Sequence, residues 1–171
     1  VENTTMPQDA LYDEDILLWS EQQADIIRKL GRTRRDLPND FDVENVAEEI
    51  ESVGRSELAA VKSLLRQILI HLVKMASETP SAAEQHWRDE LAAFQAEAAD
   101  RYAPSMRQRL DLDALWQRAV RLSGSAASQP DKLNRLSREC PFGLEELLNE
   151  TIDPGALTDR LRRMFATGNG A

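Results

Sequence analysis

An all-α helical bundle is the fold class that this sequence predicts, and three observations carry it. Apolar residues recur at three- and four-residue steps along most of the chain, and capping residues, glycines and prolines punctuate those runs. No stretch alternates β-branched or aromatic residues with polar ones, and no hairpin dipeptide sits between apolar runs. The richest segment is Asp42 to Met75, where an acidic amphipathic run, Gly54 and a nearly all-apolar run follow in immediate succession.

The first helix is expected from about Tyr12 to Leu30, with Tyr12, Ile16, Trp19, Ile26 and Leu30 on its apolar face and Gly31 ending it. Asp13, Glu14 and Asp15 fall in its first turn and Arg28 and Lys29 in its last, the charges that a helix dipole favours. Arg32 to Asp40 reads as an exposed loop. Asp42 then caps a second helix with Val43, Val46, Ala47, Ile50 and Val53 inward and Glu44, Glu48 and Glu51 outward, broken at Gly54.

Ser56 is placed to cap a third, central helix. Leu58, Val61, Leu65, Ile68, Leu72 and Met75 give its stripe, and Leu64, Leu69, Ile70 and Val73 widen it until neighbours must cover several sides. Pro80 ends it, and Ser81 with Glu84 forms a capping-box pattern for a fourth helix whose face is Trp87, Leu91, Phe94, Ala98 and Tyr102, with Gln95 off that face. Beyond Pro104, Met106 and Leu110 run out of phase with Leu112, Leu115, Ala119 and Leu122, which predicts a kink or two helices around Asp111 and Asp113. Ser123 to Asp131 has a linker's composition. Short helices follow at Leu133 and Leu136, at Leu144 to Leu148, and from Asp153-Pro154 through Leu157, Leu161 and Met164.

The domain expectation is a flexible segment at 1–11, a single helical domain at 12–165 and a frayed end at 166–171. A chain of 171 residues with 42% hydrophobic content buries a real core, and 30% charged residues supply a polar surface. A formal charge of -9 argues against general affinity for nucleic acid or anionic lipid. The charge is uneven: Asp9 to Glu57 carries 14 acids and 6 bases, whereas Arg101 to Glu139 carries 8 bases and 4 acids. Such polarity permits complementary packing of the halves or association between molecules.

Cys140 alone rules out an intramolecular disulfide and a cysteine-based zinc site, and a reducing cytoplasm is the expected compartment. The longest apolar run, Leu64 to Met75, is interrupted by Arg66, Gln67, His71 and Lys74 and is shorter than the roughly 20 residues that span a bilayer. No membrane span or export signal is expected.

Tyr12-Asp13-Glu14-Asp15 leading into Leu18-Trp19, then Glu48-Glu49-Ile50-Glu51, Gly54-Arg55-Ser56-Glu57, Leu69-Ile70-His71-Leu72 and Cys140-Pro141-Phe142, resemble the family called domain of unknown function twenty-nine. The resemblance covers most of the chain. It implies a compact all-helical bacterial domain, frequent in cyanobacteria, and it brings no catalytic assignment.

Among residues able to do chemistry, His71 stands at the edge of the apolar surface, near Gln67 and Lys74, and reads as a hydrogen-bonded boundary residue. His86 opens the next helix and is able to approach it. With Glu48, the pair forms the one candidate metal set, although the paired Glu-x-x-His motifs of di-iron bundles are missing. Glu44, Glu48 and Glu51 occupy one face at i, i+4 and i+7, an acidic stripe suited to a basic protein partner, with Glu49 at its border near Arg55 or Arg28. Arg32, Arg34 and Arg35 lack interleaved aromatics and read as solvated loop. Cys140 has no neighbouring base and reads as packing, and Trp19, Trp87 and Trp116 as core. Phosphate-binding glycine loops, nucleophile elbows and zinc-protease helices do not occur.

The functional expectation is therefore a noncatalytic protein-interaction or accessory module without a cofactor, docking through Glu44, Glu48 and Glu51 on an unidentified protein or on a second copy. Two alternatives stand beside it. One is a small metal-dependent or acid-base enzyme using Glu48, His71 and His86; the other is a weak nucleic-acid binder using the basic 101–138 segment.

Overall fold

The computed structural model describes residues 8–78, 83–124, 133 and 136–167. All regular elements among them are helical: α1 (Gln8–Glu14), α2 (Ile16–Thr33), α3 (Val43–Ser77), α4 (Ala83–Arg101), a 3-10 turn (Pro104–Arg109), α5 (Leu112–Gly124), α6 (Leu144–Leu147) and α7 (Pro154–Thr167). The chain divides into two compact units. One comprises Val1–Ala60 with Tyr102–Leu110, the other Val61–Arg101 with Asp111–Ala171, so α3 contributes its first half to one and its second half to the other.

In the first unit, the helix expected from Tyr12 is divided at Asp15, whose side chain leaves the helix pattern to do two jobs. It accepts the Leu18 amide (3.0 Å) as the N-cap of α2, and it accepts both the amide (2.9 Å) and the hydroxyl (2.6 Å) of Ser105 from the 3-10 turn. Asp15 is only 5% exposed, and these bonds satisfy the carboxylate that burial would otherwise penalise. Gly31 does not end the helix. It lies inside α2 against the Val43 side chain, because a residue without Cβ lets α2 and the start of α3 approach.

Gly54 likewise breaks nothing, and the two helices expected on either side of it are one helix of 35 residues, about 52 Å long. A Cβ there would sit 2.8 Å from Leu17 Cα and closer still to the Ser20 hydroxyl. The glycine is thus the point of closest approach between α2 and α3, and the helix ladder carries on through it at a modest entropic cost. Ser56 is an exposed mid-helix residue and caps nothing.

That contact also turns α2. Its buried residues are Leu17, Ser20 and Ala24, while Tyr12, Ile26 and Leu30 of the expected inner face are 52%, 43% and 42% exposed. Trp19 is half-buried with the Tyr12 ring edge-on to it at 4.7 Å. On α3, Ala47 and Gly54 are buried and Val53 is 45% exposed.

The second unit is built on the second half of α3. Val61, Leu65, Ile68, Leu69, Leu72, Val73 and Met75 are almost wholly buried, as the width of the apolar surface predicts for a central helix. From α4, Leu91 and Ala98 are buried, and so is Gln95, which the periodicity had set off the face. The break expected near Asp111 is present: the 3-10 turn ends at Arg109, and Asp111 accepts the Ala114 amide (2.9 Å) at the start of α5. Trp116 is fully buried and donates to the Ser137 carbonyl (2.9 Å), with the Phe142 ring edge-on to it. Trp87 is half-buried and Leu122 is 47% exposed, so neither is core. The short helices expected at 144–148 and from Pro154 are α6 and α7, and Leu133 is helical and buried. Ser81 and most of the expected linker lie outside the described residues.

Candidate functional site

The acidic face on the first half of α3 is an ion-pair cluster. Arg28 of α2 reaches Glu51 at 2.7 Å, Glu44 at 3.6 Å and Glu48 at 3.8 Å. Arg55 contacts Glu48 and also Glu51, the latter at 3.5 Å. Hydrogen bonding from the Arg28 guanidinium holds the Glu51 carboxyl below the ordinary carboxylate range, and the same bond raises Arg28. Glu49, expected near these arginines, is exposed, and the pairing falls to Glu48 and Glu51 instead. The stripe therefore neutralises much of its own charge and pins α2 to α3.

His71 and His86 do approach each other, through a residue that the sequence reading did not single out. His71 is 7% exposed, and its Nδ1–H donates to the Gln67 carbonyl (2.8 Å), since a carbonyl oxygen only accepts. Its Nε2 lies 3.0 Å from Glu90 Oε2, and His86 Nε2 lies 3.4 Å from Glu90 Oε1. The Phe94 ring closes one side, edge-on at 5.3 Å. Glu90 lies four residues after His86 on α4, the spacing that could have marked it as a partner. Glu48 belongs to the arginine cluster, and the carboxylate beside the histidines is Glu90. Among the described residues, no three or more His, Cys, Asp or Glu side chains are grouped to hold a metal ion.

A pocket of 490 Å³ opens between α5 and residues 133 and 136–138. Trp116, Val120, Leu133 and Leu136 provide its apolar wall and Arg121 and Arg138 its basic rim, and no imidazole, thiol or carboxylate is among the described lining residues. Two other described bases of the later segment are held by acids: Arg101 pairs with Glu97 (3.1 Å) and Arg109 with Glu21 (2.9 Å). Cys140 donates its amide to Asp113 (2.7 Å), and burial pushes its thiol up to about 11, with Asp113 and Glu146 adding to the shift. At neutral pH it is a protonated thiol, the opposite of a nucleophile's requirement.

Arg160 of α7 grips Glu146 through two contacts, at 2.6 and 3.1 Å, donates to the Pro141 carbonyl (3.2 Å) and lies over the Phe142 ring at 5.5 Å. Glu146 in turn accepts the Gly143 amide (2.9 Å) at the start of α6. Arg162 ties α7 to the Met75 carbonyl (3.0 Å) and to Glu84 (3.3 Å). The Pro141-Phe142 turn is thus a structural junction.

The strongly polar and ionisable groups described above mostly serve one another, and the fold and sites define an all-helical protein with no assembled reaction centre among the described residues. The family described as Domain of unknown function DUF29 matches residues 11–152, and the chain belongs to it. Among solved structures it is similar to an α-helical protein of unknown function from Rhodospirillum rubrum, at 36% identity and a TM-score of 0.79, over 94% of this chain and 99% of that one. No curated protein matches the chain significantly. No helix among the described residues is long and apolar enough to cross a membrane.

Proposed function

We propose that this is a noncatalytic protein-interaction module of the bacterial cytoplasm whose contact surface is the outward apolar face of α1 and α2. The observation that carries the reading is the exposure of Ile26 and Leu30 beside half-buried Trp19 on α2, a helix whose other face is already covered, with exposed Tyr12 of α1 edge-on to Trp19. Exposed aliphatic residues scattered singly mean little, whereas a file of them along one helix with a tryptophan in it is the composition of an interface centre. The lone half-buried cysteine and the relative from Rhodospirillum rubrum support the compartment and the source. The acidic face is the lesser docking surface, because Arg28 and Arg55 already occupy its carboxylates.

A photo-cross-linking amino acid placed at Ile26 tests this in intact cells, with the exposed Gln108 position as control. Protein adducts at position 26 well above those at position 108 are expected. Equal adduct yields at both positions defeat the reading.

A further inference from the structure

From the α1–α2 face, and resting on the interaction reading above, we infer that the partner is a second copy of this chain, docked antiparallel along α2. Two features of α1 and α2 lead there. The first is the seam: on α2, Trp19 and Ile26 stand seven residues apart with Ile16 and Leu30 at three- and four-residue steps from them, the spacing of helices that pack along their length, and Tyr12 of α1 extends the apolar strip through its ring contact with Trp19. Their own unit uses the neighbouring arc of Leu17, Ser20 and Ala24, so the apolar arc of α2 is wider than its fold covers.

The second is charge. From Gln8 to Asp25 there are six acids and no base, and from Ile26 to Arg35 there are five bases and no acid. Asp13 and Glu14 at one end, and Lys29 and Arg32 at the other, are exposed and make no ion pair among the described residues. A uniformly basic or uniformly acidic partner suits one half of this helix and is repelled by the other. A parallel copy sets acid beside acid and base beside base. An antiparallel copy satisfies both halves at once: with a twofold axis beside Gln23, Trp19 meets Ile26, Ile16 meets Leu30, and Asp13 and Glu14 lie beside Arg32 of the other molecule. The 18 residues of α2 are about 27 Å long, so one helix pair gives an interface at the small end of the stable range, and its association must be sought over a wide range of concentration.

The test is sedimentation velocity on the full chain from roughly 1 to 500 µM at low salt, where a concentration-dependent monomer–dimer equilibrium is expected. Ile26→Asp should weaken dimerisation by roughly 100-fold, with Ile26→Ser as the milder variant and unchanged helicity by circular dichroism as the folding control. Lys29→Glu with Arg32→Glu, and separately Asp13→Lys with Glu14→Lys, should each weaken self-association by roughly tenfold, and mixing the two charge-reversed proteins should restore a dimer. Restoration supports the antiparallel seam, and a mixture no more dimeric than its components overturns it. A wild type that stays monomeric throughout also overturns self-pairing; foreign-protein adducts at position 26 in cells would then leave the interaction reading standing, whereas their absence would remove both.

Discussion

Gly54→Ala sets two known effects against each other at one position, and the geometry decides the sign. Gly54 lies inside α3 with no positive φ, so in an isolated helix the alanine would gain about 1 kcal/mol of propensity. In the folded chain the new methyl would stand 2.8 Å from Leu17 Cα, against an ordinary carbon–carbon contact of about 3.5–4.0 Å. The obstructing atom is backbone, and the Ser20 hydroxyl on the same side is held by its bond to the Leu17 carbonyl (2.9 Å), so no flexible side chain is free to swing away. The two helices must part by about 0.7–1.2 Å, which loosens the seat of Leu17, Ser20 and Ala24 at a cost of about 2–3 kcal/mol. After subtracting the propensity gain, a net loss of about 1–2 kcal/mol remains, equivalent to a Tm lower by roughly 2–8 °C in a chain of this size. Thermal melting followed by circular dichroism reads it directly. Gly124→Ala is the control, since its nearest neighbour among the described residues is Leu133 Cδ1 at 3.7 Å and no positive φ holds the residue. A Gly54→Ala protein that melts at or above the wild-type temperature refutes the close-contact account.

Four further outcomes follow from the same structure. Gln95 is buried with its amide nitrogen unpartnered among the described residues, so Gln95→Met should stabilise by about 1–2 kcal/mol in urea denaturation, and a loss of stability would mean that the amide is satisfied. Asp15→Ala removes the α2 cap and both bonds to Ser105 and should cost about 2–4 kcal/mol, with faster amide exchange at Leu18 and Ser105 as its local signature; unchanged exchange there would contradict it. The Glu51, Glu84 and Glu146 carboxyls are held below their ordinary value of 4.5 by Arg28, Arg88 and Arg160 respectively, so the unfolded chain binds more protons in acid. Their stabilisation is present above that value and is lost as pH falls through the lower folded one, and Arg160→Met should flatten this acid decline below pH 4.5. Cys140, shifted from 9.0 to about 11, should carry roughly 100-fold less thiolate at pH 8 than a free cysteine and alkylate correspondingly slowly; rapid iodoacetamide labelling of the native protein would exclude its burial.

The helical class, the central position of the Val61–Met75 segment and the junction at Asp111 were legible because each rests on several residues agreeing. A seven-residue apolar stripe or a proline following a capping aspartate leaves little choice of local structure. The errors share a different cause. Gly31 and Gly54 are helix stops when judged locally, and only the approach of α2 to α3 explains why a missing side chain is worth more there than a break. Asp15 looked like a first-turn acid because nothing nearby announces Ser105, a partner 90 positions away. Gln95 has no local signal for burial at all. Glu90 was within reach, since it sits one turn from His86, but choosing it required knowing which side of α4 faces α3.

The misphasing of α2 is the most instructive of these, because both arcs are apolar and a hydrophobic pattern says only that a face avoids water. It does not say which molecule supplies the cover. The small residues Ser20 and Ala24, poor in hydrophobic signal, lie inside because they let helices approach, and the bulky Tyr12, Ile26 and Leu30 are left exposed. Large side chains left outside while small ones fill the interior leave apolar area whose burial remains available, at about 25 cal/mol for each Å². Elsewhere the conspicuous chemistry is already engaged: His71 by a carbonyl and Glu90, the acidic stripe by Arg28 and Arg55, Cys140 by its own protonation. Ile26 and Leu30 of α2 keep that uncovered apolar area in the folded chain, and the proposed association along the helix is one way in which its burial would release free energy.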